Sequence, residues 1–126
     1  MAESKSFQPD PGALHEIRSF VRTLAMASSF GLYADDLALA ATEACANAIV
    51  HSDTPVVRVN LDSGSDHFVI EVADEGMFKP RIFAPEIDGE GHRGFHLMAA
   101  MVDELSIREG ISARPGTVVR LVKRKD

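Results

Sequence analysis

One cysteine, Cys45, stands alone in 126 residues, so no internal disulfide can form. Nowhere does the chain approach the roughly 18 uninterrupted apolar residues of a membrane-spanning helix. No N-terminal stretch joins a basic region to a continuous apolar run, so secretion has no support and the cytoplasm is the expected compartment. Basic residues are the minority, 13 against 19 acidic, for a formal charge of −6. That balance disfavours direct binding to nucleic acid. Internal repeats and low-complexity tracts are absent as well. What is present is 45% apolar content, enough at this length to bury roughly two-thirds of the unfolded surface in one core and too little for two. One domain spanning residues 1–126 is expected.

Met1 to Gln8 is mixed in character and reads equally as a short edge strand or a frayed arm. Asp10 before Pro11 predicts a helix start, and Leu14, Ile17, Val21, Leu24 and Ala25 follow at helical spacing to an end near Gly31. Asp35 or Asp36 is suited to cap a second helix reaching about His51, rich in alanines whose small side chains let a helix lie close to a sheet. Beyond Pro55, Val57, Val59 and Leu61 alternate with polar residues, and Phe68, Ile70 and Val72 repeat the pattern. The intervening Asp62-Ser63-Gly64-Ser65-Asp66 predicts an antiparallel hairpin.

Glu75 to Arg93 has no sustained period, which in so small a domain suits a lid or binding loop. A third helix is predicted to begin near Gly94, carrying Phe95, Met98, Met101 and Val102. Leu105 with Ile107, then Val118 to Val122, predict two closing strands. Hairpin-joined strands with grouped helices imply an α+β fold, a mixed and mostly antiparallel sheet with helices on one face.

Several residues are candidates for chemistry. Glu43 and Asn47 lie four apart in ATEACANAIVHS, on one face of the second helix. A carboxylate there can accept a proton, and an amide oxygen can join the shell of a hard cation such as magnesium; a solvated polar stripe is the plainer alternative. Asp74 ends the second strand, with Gly76 two positions later, a pattern that can accept a purine amino group beside space for a flat ring, or simply make a turn. Gly89, Gly91 and Gly94 match the spacing of the dinucleotide fingerprint, but the preceding segment is broken by Pro85 and is no buried strand. The third helix could still hold phosphate oxygens on its free amides, with Arg93 adding positive charge. His92 and His96 lack the glutamate of the zinc protease helix, Cys45 reads as core, and Lys123-Arg124-Lys125 reads as a solvated chain end.

Taken in order, Glu43-x-x-x-Asn47, a strand ending at Asp74-x-Gly76, a long loop, Gly94 at a helix start and Gly116-Thr117 before a last strand resemble the GHKL ATPases. That superfamily includes histidine kinase catalytic domains, gyrase and the heat-shock chaperone ATPase domain. Within it, the wording EACANAIVHS and the run GFHLMAAMVDEL, followed by GTVVRLVKR, are most similar to bacterial anti-sigma factor serine kinases.

The resemblance implies a two-layer α/β sandwich, the Bergerat or histidine kinase-like ATPase fold, holding ATP and Mg2+ under a lid over residues 75–93. It implies Glu43 as general base, Asn47 as magnesium ligand, Asp74 on the adenine amino group and Gly76 shaping the adenine pocket. Gly94, with Arg93, would admit the phosphates, and Thr117 would support the adenine side. It further implies cytoplasmic transcription control, as in stress responses, by partner switching. A sigma factor is sequestered, and an anti-anti-sigma protein of the STAS type is phosphorylated on serine or threonine. Self-association as a homodimer is also implied. Three positions depart from the family pattern: Phe78 replaces the second glycine of the first box, His92 replaces a glycine before Gly94, and Glu90 stands where an arginine is usual. These departures leave a second expectation, a non-catalytic protein-binding module of the same fold.

Overall fold

The computed structural model describes residues 1–51, 54–75, 90–111 and 114–125. The elements run β1 (Ala2–Phe7), α1 (Ala13–Ala27), a 3₁₀ turn (Gly31–Tyr33), α2 (Ala34–His51), β2 (Val57–Ser63), β3 (His67–Asp74), α3 (Glu90–Met101), β4 (Glu104–Ile111) and β5 (Arg114–Arg124). The five strands form one sheet in the order β1-β2-β3-β5-β4.

Every neighbouring pair among the described strands is antiparallel, in keeping with the expected α+β fold and its mostly antiparallel sheet. The reason is topological. The crossover from β3 through α3 to β4 would make a parallel pair if the two strands were adjacent, but β5 returns into the gap between them and runs opposite to both. The open reading of Met1 to Gln8 resolves as an edge strand, with β1 laddered to β2 from Ala2↔Asp62 to Phe7↔Val57.

Strand periodicity assigns the two faces. Val57, Val59 and Leu61 on β2, with Phe68, Ile70 and Val72 on β3, are buried beneath the helices together with Val119 and Leu121 of β5. The helix layer supplies Ile17, Val21 and Leu24 from α1 and Leu37, Ala38, Ala41, Ala44, Cys45 and Ala48 from α2, all buried. Alanine on the buried side of α2 brings its backbone close to the sheet, and Met98 of α3 completes the layer. Phe30 stands edge-on to Phe68, ring centres 5.9 Å apart, and seals one end of the core.

α3 starts at Glu90 rather than at Gly94. The expected start rested on the apolar pattern, which residues 90–93, being polar or glycine, do not carry.

Candidate functional site

Among the described residues four polar side chains are buried, Asn47, Thr54, Asp74 and Thr117, at 9%, 4%, 6% and 1% exposure. Every other buried side chain there is apolar. Polar groups persist in an apolar interior only where hydrogen bonds or a ligand satisfy them, so this set locates the specialised part of the core.

Three of the four belong to one end of the sheet. Asp74 is the last residue of β3 and continues the parity of Phe68, Ile70 and Val72, so its carboxylate faces the helix layer rather than the open face. Its ladder partners are Val57 on β2 and Thr117 on β5. Thr117 shares the buried parity of Val119 and Leu121, and its Oγ1 is a buried oxygen with no hydrogen-bond partner among the described residues. An orphaned hydroxyl beside a buried carboxylate is the arrangement expected of a pocket whose polar lining is meant for a bound molecule.

Two local devices hold the end of β3 in place. Thr54 Oγ1 accepts the Glu75 N–H at 2.8 Å and donates to the Val56 carbonyl at 2.6 Å. This pins the first residue after Asp74 to the connection entering β2. On the other side Gly116 has φ +139°, and a Cβ there would stand 2.6 Å from the Asp74 carbonyl oxygen. Only glycine combines that backbone with so close an approach. Thr54 was not anticipated: it lies in the stretch HSDTP, whose residue types signal only a loop.

Asn47 enters from α2. It lies one turn before the helix end at His51, and Thr54 is three residues farther on. The chain between Asn47 and Thr54 can span no more than about 17 Å, so the final turns of α2 lie at the Asp74 end of the sheet. Glu43 stands one turn earlier on the same helical face and is half-buried. The Thr42 hydroxyl between these turns is occupied by the Ala38 carbonyl at 2.7 Å. Gly94 and Arg93 lie within α3, in its first two turns, and α3 packs against α2. Because α3 begins at Glu90, its first turn precedes Gly94, and the Gly94 amide falls within the helical ladder. Gly76, the Arg93 side chain, and Phe78 with most of the expected lid lie outside the described residues.

The chain matches the model of the histidine kinase-like ATPase domain over residues 7–123. It belongs to that family. No individual curated protein matches it significantly. Membership implies ATP as the ligand, with Mg2+ its usual companion, and the two-layer architecture agrees with that of the family.

The buried set fits such a ligand. A buried carboxylate and an unpartnered hydroxyl side by side suit the edge of a purine, and a lone amide oxygen suits a metal otherwise held by phosphates. Among the described residues no three His, Cys, Asp or Glu side chains gather into a metal cage of their own. No helix among the described residues is long and apolar enough to cross a membrane.

Proposed function

We propose that this domain is an anti-sigma factor and a serine/threonine protein kinase. On this reading it binds ATP with Mg2+, phosphorylates an anti-anti-sigma protein of the STAS type, and sequesters a sigma factor when that antagonist is absent. The observation that carries the nucleotide part is the pairing of Asp74 with Thr117, both buried, in a chain of this family. The regulatory part rests on the likeness of EACANAIVHS and GFHLMAAMVDEL to anti-sigma kinases.

In this reading Asp74 accepts a hydrogen from the adenine amino group and Thr117 braces the same edge. Asn47 holds the magnesium, which would neutralise phosphate charge when bound. Glu43, half-buried one turn from Asn47, takes the proton of the acceptor hydroxyl. Arg93, in the first turn of α3, supplies positive charge to the phosphates. Phosphoryl transfer depends mainly on positioning and charge, so one carboxylate and a set of fixed donors suffice.

The test is calorimetric titration with ATP and Mg2+, followed by phosphosite mapping on proteins captured from the native cytoplasm. Asp74→Asn, which replaces a charged acceptor, should weaken ATP binding about 10- to 100-fold. Glu43→Gln should bind ATP as the parent does and lose phosphate transfer by about 100-fold or more. Phe78, Glu90 and His92 favour a second reading, a module that sequesters its partner without phosphate transfer. That reading prevails if no nucleotide binds at millimolar concentration while a sigma factor or its antagonist still does.

A further inference from the structure

One face of the sheet lies under the helices, and the other carries no second layer among the described residues. An antiparallel sheet with one solvated face alternates apolar and polar residues along each strand. β2 does so, with Arg58, Asn60 and Asp62 on the open face opposite Val57, Val59 and Leu61. The two central strands do not. β3 sets Val69 and Ala73 on the open face, and β5 sets Val118 and Val122 beside them, in the register Val69↔Val122 and Ala73↔Val118. Val69, Ala73 and Val118 are half-buried, and Val122 is buried yet stands outside the core beneath the helices. Strands that are apolar on both faces are the mark of a sheet covered on both.

Charge flanks this apolar strip and is graded along it. Arg58 on β2 and Arg108 on β4 stand on either side of Ala73 and Val118, and neither makes an ion pair among the described residues. At the other end Asp62 and Glu104 flank Val69 and Val122; Asp62 is unpaired in the same sense, and Glu104 is bonded to Arg124. Between the two ends Glu71 and Arg120 meet at 3.5 Å and cancel. Hollows of about 450 and 410 Å³ on this face share Asp62, Val69 and Arg120. β2 and β4 are three strand spacings apart, about 14 Å, so one helix, roughly 10–12 Å across, fits between their side chains when laid along β3 and β5. The two ends are four residues apart, about 13 Å, the length of roughly nine helical residues. A helix is negative at its C-terminus. With that end between Arg58 and Arg108 it meets two unpaired cations, and its positive N-terminus meets Asp62.

We propose that the open face docks an amphipathic helix of a partner protein, with its apolar stripe on Val69, Ala73, Val118 and Val122 and acidic side chains of its last turn between Arg58 and Arg108. The apolar strip supplies the contact area, and the graded charge fixes the direction of the helix. This surface is on the opposite side of the sheet from Asp74 and Thr117, and it does not depend on the nucleotide reading.

The test is fluorescence anisotropy of a labelled synthetic helical peptide, with leucine along one stripe and glutamate on both flanks of its last turn, titrated with the whole chain. Thermal melts verify that each variant folds. The parent should bind this peptide about tenfold or more tightly than one of the same composition with its glutamates moved to the first turn. Arg58→Glu combined with Arg108→Glu should weaken binding about tenfold or more, and changing the peptide's glutamates to lysine should restore it. A parent that binds neither peptide at millimolar concentration overturns the proposal. So does equal binding of the two peptides, or a double variant that binds as the parent does. Binding to phosphatidylglycerol vesicles in place of the peptide assigns the arginines to a membrane surface and overturns it as well.

Discussion

Thr54 fixes the backbone of the residue that follows Asp74. The threonine is 4% exposed, and its hydroxyl bridges the Glu75 N–H to the Val56 carbonyl. Thr54→Val keeps the shape and strands the Glu75 amide, at a cost of about 1–3 kcal/mol. We expect chemical denaturation to show that loss, nucleotide affinity to fall with it, and Thr54→Ser to restore both. The residue could not have been picked from sequence, because a threonine between aspartate and proline has no periodicity to betray burial. Asp74 could be, since the alternation of Phe68, Ile70 and Val72 already assigns it to the buried face. Asn47 and Glu43 were legible through helical spacing, but their unequal burial was not. Spacing places two side chains on one face and says nothing about which of them the neighbouring layer covers.

At the scale of elements, local signals were accurate where a segment packs on its own pattern and weak where it does not. α1 begins at Ala13 with Gly12 at its N-cap and no side-chain cap hydrogen bond, so the expected Asp10 cap is displaced into the preceding turn, where Asp10 Oδ1 accepts the Gly12 N–H at 3.0 Å and the Asp10 carbonyl accepts the Ala13 N–H at 2.8 Å. Asp10→Ala removes that side-chain bond and should lower stability by about 1 kcal/mol; thermal unfolding monitored by helical ellipticity measures it, and Asp10→Ser should recover part of the loss. The hairpin between β2 and β3 follows the predicted turn, with the Gly64 N–H donating to the His67 carbonyl at 2.8 Å. By contrast the tail Lys123-Arg124, expected as a solvated end, is the last part of β5. Lys123 lies 4.7 Å above the Tyr33 ring, and the Arg124 N–H donates to Asp103. A run of charges hides a strand because its buried contacts are made by aliphatic stems and backbone rather than by apolar side chains.

For the whole molecule, the sheet has one face under the helices, and Cys45 lies fully within that layer. Burial pushes its thiol well above the ordinary range, so it stays protonated in the folded chain. The unfolded thiol ionises near pH 8.5. Above that pH the unfolded state has released a proton that the folded state retains, so this group makes stability fall as pH rises, by about 1.4 kcal/mol per unit. Urea unfolding of the parent and Cys45→Ala between pH 7 and 10 should show the parent losing stability faster. Parallel curves would mean that the thiol reaches solvent in the folded protein.

Composition and periodicity determined which residues of α1, β2 and β3 face the core, and they singled out Glu43, Asn47 and Asp74 as candidates, of which Asn47 and Asp74 prove to be buried. These are consequences of side-chain spacing along a single element, and a linear sequence records spacing directly. Tertiary structure alone decided that β5 inserts between β3 and β4, which makes Thr117 the neighbour of Asp74. It also decided that Thr54 and Gly116 confine the end of β3. Each of these depends on which strands become neighbours, and neighbour choice is settled by chain closure and burial across distant segments, where no local pattern carries the information.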